Sequence, residues 1–167
     1  DEIAKLESGQ VIVSKEKFDI QTLVRETIDY LEDKALENNI SLKFLPKNNH
    51  PILVKADRKK IQQVLVNLID NSIKYGTKGG KTQISTIPLI DQILIEITDN
   101  GQGIEEKNLS RVFERFFRTD KSRSRDIGGS GLGLAIVKHI IEAHQQNVHV
   151  RSTEGIGTTF SFTLEKA

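Results

Sequence analysis

The chain has 167 residues, 37% of them apolar and 28% charged, with a formal net charge of +1. That is enough for one domain with its own core, too apolar for a disordered segment, and too nearly neutral to present the basic face a nucleic-acid partner needs. There is no cysteine, which excludes disulfides, thiolate metal sites and cysteine nucleophiles, and no apolar run reaches the roughly 18 to 20 residues that span a bilayer.

Residues 1–8, DEIAKLES, read as the last turns of a helix that Gly9 stops. A chain opening on Asp1 rather than Met is expected to be a piece of a longer protein, with any membrane anchor outside it. β-like pieces follow at 11–13 and at Phe18. Asp19 is a natural N-cap, because its side-chain oxygen can accept from the orphan N–H groups of a first turn. The helix it starts should run to about Asn38, with Leu23, Ile28, Leu31 and Leu36 available for burial. Strands are expected at 41–45 and 52–54, with Pro46, Asn48, Asn49 and Pro51 making the turn between them. Asp57 starts the clearest helix, in which Ile61, Val64, Leu65, Leu68, Ile69, Ser72 and Ile73 recur at steps of three and four up to a stop near Gly76. A strand pair at 82–87 and 93–98 follows, with Pro88 confined to an edge or a connection because it donates no ladder hydrogen bond. After a glycine-rich stretch at 99–131, a helix at 132–144 and strands at about 147–152 and 158–164 close the chain. Helices mixed with hairpin-linked strands predict an α+β sandwich, a mixed sheet with helices on one face.

Four constellations carry chemistry. Asn67, Asn71 and Lys74 are spaced four and three apart, so they share one helical stripe roughly 60° wide. Two amides and an ammonium on one ridge suit a metal-phosphate complex, since magnesium takes oxygen ligands and an Asn carbonyl is one. A solvated helix face would look the same. Asp99-Asn100-Gly101-Gln102-Gly103 follows an apolar strand; its carboxylate could accept from an exocyclic amine such as that of adenine, and a tight turn accounts for the composition equally well. Gly128-Gly129-Ser130-Gly131-Leu132-Gly133-Leu134 runs into a helix, where orphan N–H groups and the helix dipole favour an anion. It lacks the Lys-Ser/Thr pair of a phosphate-binding P-loop and the glycine spacing of the dinucleotide fingerprint. Gly155-Ile156-Gly157-Thr158-Thr159-Phe160 reads by itself as a hairpin turn.

The order of the boxes NLIDNSIKY, DNGQGI, FERFFR, GGSGLGLAIVKHI and GIGTTF is more specific than any one of them. Over about residues 16–165 the chain resembles the ATP-binding catalytic domain of two-component sensor histidine kinases, in the superfamily that includes DNA gyrase and the heat-shock chaperone. The resemblance implies a two-layer α/β sandwich of the Bergerat type, with ATP and Mg2+ beneath a mobile lid at about 104–130. It implies metal ligation by Asn71 with Asn67 beside it, and phosphate contacts from Lys74 and Tyr75. Asp99 is implied to bind adenine in a pocket shaped by Gly101, Gly103 and Ile104. Phe113, Phe116 and Phe117 match the aromatic lid box, and Arg118 matches a lid arginine that reaches the terminal phosphate. Gly129, Gly131, Leu132 and Gly133 match the second glycine box, and Thr158 the threonine near the base. Residues 1–15 resemble the end of the dimerisation and phosphotransfer helix plus a linker, and 16–167 the catalytic domain. Gln145-Gln146 stands where the family often has a glycine pair, so that helix end is expected to be capped differently.

In the ATP-hydrolysing relatives a glutamate at the position of Asn67 activates water. An amide has no usable basicity, so slow hydrolysis and transfer to another nucleophile are expected, with Asn67, Lys74 and Arg118 as the catalytic residues. No acceptor is expected among His50, His139, His144 and His149: His144 falls in the apolar stripe of Ile136, Val137, Ile140 and Ile141, as a packed histidine would. The implied partners are an upstream histidine-bearing dimerisation domain and a response regulator receiver domain, with no nucleic acid. The implied setting is a homodimeric, membrane-anchored sensor whose kinase portion is cytoplasmic. An ATPase clamp of the gyrase or chaperone kind is disfavoured by Asn67. A degenerate nucleotide-binding scaffold is disfavoured by intact Asn71, Asp99, Gly131 and Gly133, and a serine kinase of the anti-sigma type by the kinase-like tail.

Overall fold

Two aspartates set where the long helices begin. In the computed structural model, which describes Ala4 and residues 12–46, 48–118 and 133–167, Asp19 Oδ1 accepts from the Gln21 N–H at 3.0 Å and caps α1 (Ile20–Glu37). The same oxygen accepts from Ile52 N–H at 3.0 Å, so the cap also fixes the approach to the strand that begins at Leu53. Asp57 caps α2 (Arg58–Lys74) through Lys60 N–H at 3.3 Å. Ile20, Leu23, Val24, Thr27, Leu31 and Ala35 form the buried stripe of α1. Leu36, read as available for burial, is 67% exposed, because it lies about 100° around the helix from Ala35, which takes the core position instead. The stripe of α2 is buried at every expected position.

The remaining elements are β1 (Glu16–Asp19), β2 (Ser41–Pro46), β3 (Leu53–Ala56), β4 (Lys81–Pro88), β5 (Gln92–Asp99), α3 (Glu106–Leu109), α4 (Gly133–Ala143), β6 (Val148–Thr153) and β7 (Gly157–Lys166). The sheet runs β1-β3-β7-β5-β4-β2, with β6 on the edge of β7 beside β3. Among the described residues only β2 and β4 pair in parallel, so the sheet is mixed. β4 and β5 bury Thr82, Ile84, Thr86, Ile93, Ile95 and Ile97 on alternate positions, the pattern of a sheet covered on one face. Helix α2 packs against both α1 and α4 over that face.

The structure departs from expectation in three further places. Ile12 and Val13 belong to no strand, and most of the expected N-terminal helical tail lies outside the described residues. The connection after β2 does not form a hairpin; it carries the chain from one edge strand toward the other side of the sheet, held by Gln21, whose Nε2 donates to the carbonyls of Asn48 (3.0 Å) and His50 (2.9 Å). The end of α4 is not capped differently. Gln145 takes the left-handed conformation itself (φ 59), with Gln145 N–H on Glu142 O at 2.8 Å and Gln146 N–H on Ile141 O at 3.1 Å. That is the Schellman arrangement, made without glycine at the steric cost that L residues pay there. Asn39 (φ 55) ends α1 in the same way.

His144, packed as expected and only 3% exposed, ties two helix ends together. Its Nε2 accepts from the Asp57 N–H at 3.0 Å, so that nitrogen carries no proton, and Nδ1–H donates to Ile140 O at 2.8 Å. Burial pushes its pKa below the usual 6.5, outweighing the favourable Ile140 carbonyl and Asp57 charge, with Lys15 and Lys60 adding to the depression. A depressed folded value means that the stability His144 contributes is complete above 6.5 and is lost as pH falls through the folded value. Urea unfolding should therefore show the parent losing more stability than His144→Gln between about pH 7.5 and about pH 5. Equal losses would show that His144 is not the titrating group.

Candidate functional site

Helix α2 brings Asn67, Asn71, Lys74 and Tyr75 to one side of a cavity of about 250 Å3. The C-terminal end of β5 supplies Asp99, the following loop Gly103 and Ile104, and β7 Thr158. Phe117 and Arg118 close it from the aromatic box, and Gly133 from the first turn of α4. These residues span more than ninety positions of sequence, and the fold places them around one volume. Gly101 does not line the cavity; its N–H donates to Asp99 Oδ1 at 2.9 Å and so orients the carboxylate from behind. Gly129, Gly131 and Leu132, with the rest of the expected lid from 119 onward, lie outside the described residues.

Local geometry explains why the loop has its sequence. Gly103 has φ 73, and a Cβ there would stand 2.3 Å from the Thr153 carbonyl, so only glycine fits against the β6–β7 turn. Gly155 N–H donates to Gln102 O at 2.8 Å and locks the two loops together. A Cβ on Gly157 would meet Asp99 O at 2.1 Å, which lets β7 approach the end of β5. GIGTTF forms the hairpin turn read from its sequence, and its Thr158 lines the cavity. Asp99 Oδ1 receives a second N–H, from Thr158 at 3.3 Å. Burial raises the Asp99 pKa above the usual carboxylate value, against the opposing pull of the Gly101 and Thr158 amides.

The three phenylalanines of the aromatic box part ways. Phe113 packs edge-on against Phe160, ring centroids 6.0 Å apart; Phe117 lines the cavity under Arg111, whose guanidinium is 4.6 Å from the ring centroid; Phe116 is 59% exposed.

Several lining residues had no role assigned in the sequence reading: Asp70 and Val112, which it did not single out, and Gln102, Leu134 and Phe160, which stood inside its motifs. The most consequential is Asp70. Its Oδ2 pairs with Lys74 at 3.2 Å, and its Oδ1 faces Lys34 of α1. The signal for the first pair was present, since Asp70 and Lys74 are spaced i,i+4 on a helix. The second pair crosses between helices and had no local signal.

Asn67 Nδ2 donates to Gly133 O at 3.3 Å, which commits its nitrogen and leaves the amide oxygen as the atom available to a ligand. Among the described residues no cluster of three His, Cys, Asp or Glu could hold a metal unaided. A hard cation here would share amide oxygens with oxygens of its ligand, a donor set that fits magnesium carried by a phosphate.

Residues 56–167 match the family described as histidine kinase-, DNA gyrase B-, and HSP90-like ATPase. The chain belongs to this ATPase family. Relatives that it matches over nearly its whole length include sensor histidine kinases. The sensor histidine kinase WalK of Bacillus subtilis (strain 168) is 36% identical over 165 residues, which is 98% of this chain and 27% of WalK. The chain therefore spans little more than a quarter of that relative's length. The nucleotide-free catalytic domain of the histidine kinase ThkA superposes with a TM-score of 0.79 at 30% identity, covering 92% of this chain and 98% of that domain. ThkA in complex with the response regulator TrrA matches with a TM-score of 0.80 at 28% identity over 99% of this chain and 46% of the other. Full-length ShkA in complex with AMPPNP gives 0.87 at 25% identity over 99% and 34%. Among the described residues no helix is long and apolar enough to cross a membrane.

Proposed function

We propose that this chain binds ATP with magnesium in the cavity and delivers the γ-phosphoryl group to a histidine on a dimerisation domain upstream of it, for relay to a response regulator aspartate. The observation that carries the reading is the convergence of the α2 amides, Lys74, Arg118 and the Asp99–Thr158 pair on one cavity within a histidine kinase-type fold. The AMPPNP complex of ShkA and the response regulator complex of ThkA support the nucleotide and the partner.

In this reading Asp99 and Thr158 take the base, while Asn71, Asn67 and the Gly133 end of α4 take the metal-triphosphate. Magnesium supplies charge neutralisation between the phosphates when bound. Lys74 leaves its pair with Asp70 for the phosphates, and Arg118 approaches the γ-phosphate from the lid side. The incoming imidazole nitrogen forms a P–N bond as the bond from Pγ to the β–γ bridging oxygen breaks. ADP departs with that electron pair, and the second ring nitrogen releases its proton. The acceptor in this reading is a histidine outside this chain; His144, for its part, is committed at both ring nitrogens. The longer protein would be a homodimeric, membrane-anchored sensor with this portion in the cytoplasm, residues 1–15 being the end of the dimerisation helix and 16–167 the catalytic domain.

The test supplies the histidine-bearing segment together with the chain, magnesium and γ-labelled ATP. Acid-labile, base-stable label on the segment is the expected result. ATP binding without label would indicate a nucleotide-binding scaffold, and rapid phosphate release would indicate a clamp-type ATPase. Asn67→Glu should raise hydrolysis of free ATP by about tenfold or more, since general-base catalysis contributes about 10²–10⁴-fold where geometry permits. A glutamate cannot donate to Gly133 O, so the variant should also lose about 1 kcal/mol of stability. Unchanged phosphate release would count against Asn67 as the residue that withholds hydrolysis.

A further inference from the structure

The sheet register aligns four polar side chains in one cross-strand row: Thr82 on β4, Asp99 on β5, Thr158 on β7 and Ser152 on β6. Side chains in such a row share a face, and Thr82 contacts Ser72 of α2, so the row looks toward the helices; its two middle members, Asp99 and Thr158, line the cavity. Ser152 belongs to no motif and does not line the cavity, yet it touches Thr158, which does.

Its hydroxyl is fully engaged. The Ile104 N–H donates to Ser152 Oγ at 2.8 Å, Ser152 Oγ lies 2.8 Å from the Gly157 carbonyl, and it lies 2.8 Å from Thr158 Oγ1. A carbonyl can only accept, so the single Ser152 proton goes to Gly157 O. The contact between the two hydroxyls must then run from Thr158 to Ser152. Thr158 Oγ1 is left with lone pairs only for whatever it meets on its cavity side. Asp99 beside it presents lone pairs as well, with Oδ1 already taking two backbone N–H groups.

We propose that Ser152 is a positioning residue for base selection. It sets the hydrogen-bond polarity of Thr158 so that this end of the site accepts only from donors, and it anchors Ile104 and the 101–104 loop against the β6–β7 turn. The inference rests on the nucleotide reading above. A purine with an amine at C6 supplies the required donor, whereas one with a carbonyl there brings a third acceptor against two.

ATP and inosine triphosphate differ at that position, with a carbonyl for the amine and a proton added at N1, and keep the same triphosphate. Calorimetric binding of each with magnesium to the parent chain, Ser152→Ala, Ser152→Thr and Thr158→Val tests the proposal. Ser152→Ala frees the Thr158 proton to turn toward the ligand, so its preference for ATP over inosine triphosphate should fall by about tenfold, the loss of one buried hydrogen bond. Ser152→Thr retains the hydroxyl and should restore the preference. Thr158→Val removes the same lone pairs while leaving the Ser152 tie between Ile104 and Gly157, and keeps the test decisive if Ser152→Ala folds poorly. The double variant should discriminate no worse than either single change. A parent that prefers ATP, with Ser152→Ala or Thr158→Val preferring it equally, would overturn the proposal while leaving the nucleotide reading intact. A general weakening of both nucleotides would reduce Ser152 to a structural role. A parent that binds neither nucleotide would overturn both.

Discussion

Asp99→Asn is expected to lose magnesium-ATP affinity by about 100-fold while unfolding at a higher temperature than the parent. The two effects have different origins. Asp99 Oδ1 receives N–H groups from Gly101 at 2.9 Å and Thr158 at 3.3 Å. An asparagine must place its carbonyl oxygen there, since its amide nitrogen would set donor against two donors. The NH2 then occupies the Oδ2 position and faces a ligand amine as a second donor. A charge-assisted bond is lost and a repulsive contact replaces it, which together account for about two orders of magnitude. For stability, burial has raised the Asp99 pKa above its ordinary 3.8. The stability associated with this group is present below 3.8 and lost as pH rises through the folded value, so the ionised group is a liability at neutral pH. An uncharged isostere removes that liability. Calorimetry with ATP and a thermal melt on the same preparation check both signs. Retention of affinity within threefold would contradict the assignment of Asp99 to the base; a lower melting temperature would contradict the electrostatic account.

The second large effect is in the wall of the site. Phe160 is 1% exposed, stands on β7 opposite Ile97 and Val150, lines the cavity and meets Phe113 edge-on. Phe160→Ala should cost about 3–5 kcal/mol, the usual transfer and cavity cost of deleting a buried ring. In a chain of this size that is a fall of roughly 10 °C in Tm. The edge-on pair itself should appear as a coupling of about 1 kcal/mol in a Phe113/Phe160 double-mutant cycle. Because Phe113 belongs to the segment leading into Phe117 and Arg118, the same variant should weaken nucleotide binding beyond what its stability loss explains. Denaturant unfolding that shows a loss under 1 kcal/mol would sink the packing account.

The comparison of expectation with structure has a consistent physical pattern. Interactions confined to a few residues were legible. Asp19 and Asp57 cap helices because capping is a contact across three residues, and the stripe from Ile61 to Ile73 follows helical periodicity alone. The boxes around Asn71, Asp99 and Thr158 were each ambiguous alone and stood out by their order, and the fold brings the three residues to one cavity. Even the alternation in β4 and β5 was local, since one covered face forces period two.

Composition and pattern excluded cysteine chemistry and a spanning helix and located most elements, the helix stripes and the order of the motifs. They left open which strand neighbours which. The Ser152–Thr158–Asp99–Thr82 row exists only once β6, β7, β5 and β4 pair in their observed registers, and a shift of one residue would turn every member to the other face. The tie from His144 to Asp57 joins residues 87 positions apart, and Lys34 reaches Asp70 between helices. Such contacts depend on packing of elements distant in sequence, which no local propensity encodes. Residue chemistry was therefore written in the chain, whereas the direction of the hydrogen bonds among Ser152, Thr158 and Asp99 was decided by the sheet.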